Sequence, residues 1–393
     1  MRSRSQAAPT DTRIALIVGA GIGGLSAAVG LQRAGWRVRI FERASHLQEL
    51  GFALLLAPNA VAALQQLGLA ERVIAEGSEM TAGEVRGTGG RLLRRFDLTR
   101  VRQLLSKPAL VVLRPALHGV LLDAAGPDNL VLNSQVSGFS IHDGRPVVAL
   151  VNGETTEGDV LIGADGVGSV IRRVLHPQEP PPRASGLWAV RGVAYDVELQ
   201  LGELAGAQYF GRGIEGGMAR AGRNAVYWYI SLPSRELGES PQARTVAHRC
   251  ANQFDERFRT VVNATRPDDM RLDQLLDRDP LPNWGRGRVT LLGDAAHPIL
   301  PHAGQGAAQA LEDAVTIGRA LDGAVEVEGA LRRYERVRQE RTRDIVRLGR
   351  RNARIGSISN RLGQKFRDFA IRAAPASAFT KTYIDFGKPP SLE

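Results

Sequence analysis

The chain has 393 residues, 43% of them apolar, and carries 51 lysines and arginines against 41 acids, a net charge of +10. A length of this order predicts about two domains. No run of roughly 18 apolar residues offers a membrane-spanning helix, and the single cysteine, Cys250, rules out an intrachain disulfide and the thiol clusters of zinc or iron–sulfur sites.

Arginine is spread along the whole chain, with no zinc-finger spacing and no basic region followed by heptads. The charge therefore reads as a general bias, and no nucleic-acid partner or metal is expected. A reducing cytoplasm is the expected location. Met1 to Thr12 is polar, carries Arg2 and Arg4, and lacks the apolar stretch of a signal peptide, which predicts a disordered tail.

Arg13 to Val18 is a short apolar run that suits a strand buried in a parallel sheet. Gly19-Ala20-Gly21-Ile22-Gly23-Gly24 follows, then an alanine-rich helical stretch to about Ala34, a stop at Gly35 and a second strand from Arg37 to Phe41. Glu42 lies at its end, 18 residues beyond Gly24. This is a dinucleotide-binding βαβ unit: Gly19 permits the tight turn, Gly21 lets backbone approach a pyrophosphate, and Gly24 lets helix and sheet pack closely. The helix N-terminus offers free N–H groups to the phosphates, and Glu42 can accept from ribose hydroxyls.

Asp159 to Ala164 predicts another buried strand, which Asp165-Gly166 turns out of before a helical start at Ser169 to Arg172. Between Arg172 and Gly285 the character changes. Leu187–Ala194, Gln208–Gly211, Gly217–Ala221 and Asn224–Leu232 read as strands of an antiparallel sheet. Gly211 to Gly216 repeats the glycine pattern but opens no helix, and reads as a hairpin or loop. In Asn224–Leu232, Ala225, Tyr227, Tyr229 and Ser231 share one face, and Val226, Trp228, Ile230 and Leu232 the other. The apolar face can pack on helices. The tyrosine face can then line a cavity, where a phenol can hold or deprotonate a substrate hydroxyl; the alternative is that both tyrosines are structural.

Val289 to Leu292 is a further strand ending at Gly293-Asp294, and Pro298, Pro301, Gly304 and Gly306 make a rigid loop before a helix near Ala307. Glu326 to Arg354 has helical composition with ten arginines against five acids. Leu331, Tyr334, Val337 and Arg341 keep helical spacing, so one face is partly apolar. The tail from Ile355 carries Phe366, Phe369, Ile371, Phe379, Tyr383 and Phe386, and predicts a short helix or contact with an apolar partner or membrane surface.

On these motifs the chain resembles the single-component FAD-dependent aromatic-ring monooxygenases, the family of p-hydroxybenzoate and salicylate hydroxylases. The resemblance runs from about Arg13 to Arg354. It includes Leu113-Arg114-Pro115-Ala116-Leu117 and the segment from Pro301 through Ala307 into Gln309–Ala314. It implies an α/β fold: a Rossmann-like FAD-binding domain of the glutathione-reductase-2 type, interleaved with an antiparallel-sheet substrate domain and a C-terminal helix. The expected boundaries are 13–180 with 285–354 for the FAD domain, 181–284 for the substrate sheet, 70–112 shared between them, and 355–393 as a helical tail.

The resemblance further implies FAD, NAD(P)H as co-substrate, and O2 activated as a flavin C4a-hydroperoxide that hydroxylates or epoxidises an aromatic, heteroaromatic or polyketide-like small molecule. Gly19, Gly21, Gly24, Glu42, Arg43, Ala53, Arg114, Asp165, Gly166, Asp294, Pro301, Gly304, Gly306 and Ala307 are the implied cofactor residues. Asp165 would serve the pyrophosphate face and transient nicotinamide binding, and Asp294 the ribityl chain or pyrophosphate. Tyr227 and His46 are the catalytic candidates, His46 because imidazole suits a base at neutral pH; a surface loop histidine is the alternative. His302 sits in the implied flavin loop. Phe52-Ala53-Leu54-Leu55-Leu56 departs from the family by its bulk. Two other functions stay open: a flavin halogenase, although Tyr227-Trp228-Tyr229-Ile230 lacks that group's Trp-x-Trp-x-Ile-Pro, and a non-catalytic binding protein of the same fold. A monomer or homodimer is expected.

Overall fold

The computed structural model describes residues 13–47, 52–197 and 205–387. The tail expected at 1–12, and Gly51, lie outside them. Five strands form a parallel sheet in the order Val289–Leu291, Val160–Gly163, Ile14–Val18, Arg37–Phe41, Leu130–Val131. Ala15, Leu16 and Ile17 in its centre are fully buried, as a strand covered on both faces must be.

Two helices meet beside this sheet, Ile22–Arg33 and Gly306–Leu321. They touch backbone to backbone. A Cβ on Gly30 would lie 2.5 Å from the Ala314 carbonyl oxygen, and one on Gly318 would lie 2.7 Å from that of Gly30. Both helices therefore start at the same end of the sheet, where strands of an open α/β sheet deliver a ligand crevice.

A second sheet has seven strands in the order Met270–Asp277, Arg183–Tyr195, Ala225–Pro233, Glu215–Arg220, Gly206–Phe210, Ala82–Arg86, Leu92–Asp97. The four strands expected from Leu187 to Leu232 pair antiparallel in succession. One pair, Gly206–Phe210 with Ala82–Arg86, is parallel, because the hairpin Ala82–Asp97 enters from a distant part of the chain. Gly211 to Gly216 is the turn between two of these strands, closed by Gly211 N–H to Ile214 carbonyl at 2.9 Å.

Helices Ala243–Ala251 and Glu256–Ala264 cover one face of the second sheet. Val226, Trp228, Ile230 and Leu232 pack there with Phe254, Phe258 and Val261, as the alternation predicts. The helix read over Glu326–Arg354 spans Val327–Gly356. Its buried stripe differs from the spacing read in the sequence: Leu331 and Tyr334 continue through Arg338, Thr342 and Ile345 rather than Val337 and Arg341. The C-terminal segment forms two helices, Arg361–Ala373 and Ala376–Asp385.

Candidate active site

The strand Ile14–Val18 ends at Gly19, whose φ is +101°, a conformation that favours glycine. A Cβ on Gly24 would overlap the Gly19 carbonyl oxygen, so only glycine lets this helix begin against the turn. Gly21 is different. Nothing lies within 4 Å of the Cβ it lacks, and the same holds for Gly306 at the start of the second helix. Neither helix start has a capping side chain or an acid in its first turn, so their orphan N–H groups face open space.

The crevice beside Gly21 encloses about 410 Å³ and is lined by Glu42, Arg43, His46, Arg114, His118 and Arg271, among others. The Glu42 carboxylate accepts from the N–H groups of Ala20 (2.9 Å) and Ala44 (3.0 Å), which locks it across the glycine turn. His46 is exposed at this mouth and bonds Ser45 Oγ through Nδ1 at 3.0 Å. The crevice groups it with Glu42 and Arg43; the aromatic wall of the second sheet is not part of that lining.

Asp165 accepts from Ser169 Oγ (2.5 Å) and the Val170 N–H (2.7 Å), and so holds the start of the helix Val170–Leu175. Burial raises its pKa and these hydrogen bonds pull it back. Gly166 at φ +78° has open space at its Cβ position. Arg172 is fully buried; it pairs with Glu179 and donates to the carbonyls of Ala295 (2.9 Å) and Ala296 (3.0 Å). The second glycine motif is thereby tied to the third through one guanidinium.

Asp294 follows the end of the strand Val289–Leu291 and is solvent-exposed, yet has protein around it. Lost hydration raises its pKa, opposed by His297 and Arg114. Arg114 has the mirror situation: burial lowers its pKa, Asp294 raises it, and Arg191 and Arg271 lower it further. Asp294 and Arg114 are thus close enough for each to offset part of the other's loss of hydration.

Behind this space a buried ionic cluster fixes the loop. Arg338 donates to Asp313 Oδ1 (2.7 Å), Glu312 Oε2 (2.5 Å) and Gln309 Oε1 (2.6 Å). Asp313 accepts in turn from the Gly293 N–H (2.9 Å) and bonds His297 Nε2 (2.6 Å). Asn59 donates to Glu312 (2.7 Å) and to Gln305 (3.0 Å), inside the loop itself. Gly304, at φ +61°, turns the chain into the helix. His302 bonds Ser231 Oγ at 2.9 Å, its Nδ1 has no partner among the described residues, and burial lowers its pKa to about 4, so it is neutral at pH 7.

The loop therefore touches the tyrosine face of the second sheet. Tyr227 stacks on Tyr229 at 6.2 Å and stands 6.4 Å from Phe52 between ring centres. The Arg191 guanidinium lies 4.9 Å over the Phe52 ring and pairs with Asp273. The bulky segment after Gly51 thus packs against Tyr227, which joins the apolar cluster of Ala53, Val111, Ala219 and Ala221, with Ala53 opening the strand Ala53–Leu56. Burial pushes the Tyr227 phenol up to about 12 with Arg191 opposing, and no hydrogen bond contributes. Tyr229 donates to Glu215 at 3.0 Å, and burial raises the Glu215 carboxyl to about 7.

Sequence reasoning missed Arg338, Glu215 and Arg191. Arg338 is one arginine among ten in its helix, and only its place in the buried stripe distinguishes it. Glu215 was overlooked because it falls inside the false glycine motif.

A family model described as FAD binding domain matches residues 11–348. Over 346 residues the chain is 36% identical to the aurachin C monooxygenase/isomerase of Stigmatella aurantiaca, covering 88% of this chain and 90% of that protein. It is 33% identical to 3-hydroxybenzoate 6-hydroxylase 1 of Aquipseudomonas alcaligenes, covering 85% and 87%. The crystal structure of Klebsiella pneumoniae HpxO complexed with FAD and uric acid superposes with a TM-score of 0.90 at 25% identity, covering 97% of this chain and 98% of that one.

Proposed function

The chain belongs to the FAD-dependent aromatic-ring monooxygenases, oxidoreductases that add one oxygen atom, and within that family we propose that it hydroxylates or epoxidises a flat, largely apolar ring compound held against Phe52 and Tyr227. The observation that carries this reading is the contact of the loop Pro301–Gly306 with the tyrosine strand, through His302 and Ser231. It supports placing the substrate ring between the aromatic strand and the loop that would carry the flavin.

Bound FAD supplies the electron transfer from NAD(P)H and the activation of dioxygen. The chain's own residues do the rest. The N–H groups at Gly21 and Gly306 face the cofactor's phosphates and ring. Glu42 and Asp294 accept from its hydroxyls, Arg114 balances charge beside it, and Asp165 and Gly166 hold the turn that closes the pyrophosphate side. Arg43 flanks the adenosine end; Pro301 and Ala307 bracket the loop that carries the ring. Phe52 and Tyr227 exclude water and orient the substrate ring, which keeps reactive oxygen from solvent. The Tyr227 hydroxyl, which burial keeps protonated, would donate a hydrogen bond to a substrate oxygen and orient the ring. His46, at the crevice mouth, meets the cofactor or nicotinamide rather than the ring.

Trp228 packs into the core away from the cavity, so nothing on this strand favours the halogenase reading. No described helix is long and apolar enough to cross a membrane; a cytoplasmic location, acting as monomer or homodimer, completes the proposal. The test is NAD(P)H oxidation screened against phenols, quinolones and heteroaromatics, with product mass. Substrate-stimulated oxidation and one added oxygen support it. Oxidation that no ring compound stimulates, in flavin-loaded protein, contradicts it.

A further inference from the structure

The helix Arg361–Ala373 is inside out. Its charged residues Arg367 and Asp368 are buried, paired with each other at 3.0 Å. Arg367 lies 4.8 Å over the Phe210 ring, and Asp368 also takes Arg91 at 2.8 Å. The orientation of the helix is thus fixed by a polar anchor. Ile371 packs inwards on Val85, Leu93 and Phe210, but the other large apolar residues point outwards: Leu362 is 80% exposed, Phe366 74% and Phe369 64%. Spaced four and three apart, they form one stripe. Isolated exposed apolar residues are ordinary, whereas two phenylalanines and a leucine side by side mark a contact surface.

Charge selects the partner. Arg361, Lys365 and Arg372 are exposed on the same outer side. Between Arg351 and Lys381 inclusive the sequence has seven lysines or arginines and one acid, the buried Asp368. A second copy of the chain would bring cation against cation on a molecule whose net charge is already +10. A bilayer with anionic headgroups offers the complement to both features, an apolar layer for Leu362, Phe366 and Phe369 beneath phosphates for the basic rim. We infer that the outer face of Arg361–Ala373 docks the enzyme on an anionic membrane surface. The next helix, Ala376–Asp385, packs on the same seven-stranded sheet through Phe379, which stacks on Phe96 at 6.2 Å between ring centres. Docking therefore turns the edge of the second sheet towards the lipid.

The test is co-sedimentation of the flavin-loaded full chain with phosphatidylcholine vesicles, with or without a one-third admixture of phosphatidylglycerol. The wild type is expected to sediment with the anionic vesicles, less so at high salt, and not with neutral ones. Leu362→Ser/Phe366→Ser/Phe369→Ser is expected to weaken that binding by on the order of tenfold or more while FAD content and NAD(P)H oxidation in solution stay unchanged. Arg361→Glu/Lys365→Glu should weaken it as well. Equal binding of wild type and the triple variant overturns the inference. So does absence of wild-type binding, or a self-association in analytical ultracentrifugation that the triple variant abolishes.

Discussion

Tyr227 is the side chain on which the chemistry of the substrate face turns. Its phenol is half-buried and has no hydrogen bond among the described residues, whereas Tyr229 is committed to Glu215. Tyr227→Phe should keep fold, FAD and basal NAD(P)H oxidation, but lose oxygen insertion by roughly 10²–10³-fold and release peroxide, since the phenol's hydrogen bond to the substrate oxygen counts most as oxygen is transferred. Product per NAD(P)H consumed, with a peroxide assay, measures this. Trp228→Phe is the control: it loses the hydrogen bond to Thr265 at 2.8 Å on the opposite face and should lower stability without uncoupling. Should Trp228→Phe uncouple instead, the assignment of faces is wrong. Glu215 carries a pH dependence. Its folded carboxyl is held near 7 against an ordinary 4.5. Between these values the folded state binds more protons than the unfolded chain, so stability falls as pH rises from 4.5 to 7 and stays low above. The span is on the order of 3 kcal/mol. Glu215→Gln should therefore melt higher than wild type at pH 8 and close to it at pH 4.5. Identical melting shifts at both pH values would remove the carboxyl as the source.

At the scale of elements, the helix Val327–Gly356 clamps the loop through a buried guanidinium. Breaking a buried ion cluster by removing one partner costs about 3–5 kcal/mol, because the opposite charges stay behind. Arg338→Met leaves Asp313 without its guanidinium partner and Glu312 with only Arg341 as a cation, and Asp313 holds the Gly293 N–H and His297. The variant should lose stability by about that amount in urea unfolding and bind FAD more weakly. Arg341→Met, at a part-exposed position paired only with Glu312 among these acids, should cost clearly less; equal losses would contradict the clamp. This element also shows what sequence can and cannot carry. The start and length of the helix were legible from composition. Its buried stripe was not, because the stripe passes through an arginine whose partners lie about 25 residues back in a different helix, and pattern reading credits apolar residues alone. The glycine turns were legible because each has a local steric reason. The inverted helix at Arg361–Ala373 was legible only as a cluster of aromatic residues, since which face turns outwards is set by Phe210 and Arg91.

At the scale of the molecule, three glycine motifs far apart in sequence converge at one end of the parallel sheet. The parallel sheet brings the ends of Ile14–Val18, Val160–Gly163 and Val289–Leu291 side by side. Arg172 then ties two of the turns together, and Asp313 fixes the last. The second sheet contributes the wall that the loop Pro301–Gly306 leans on. That convergence, with FAD as its occupant, is the central claim, and Gly21 tests it cleanly. Its φ of −75° is open to any residue, and no protein atom lies within 4 Å of the missing Cβ. A side chain there should leave the fold intact and collide only with what fills the crevice. The measurement is the visible absorbance of purified Gly21→Val beside wild type, with matched thermal unfolding of the two apoproteins. The account predicts a yellow wild type and a colourless, folded variant; full flavin occupancy in folded Gly21→Val would contradict it.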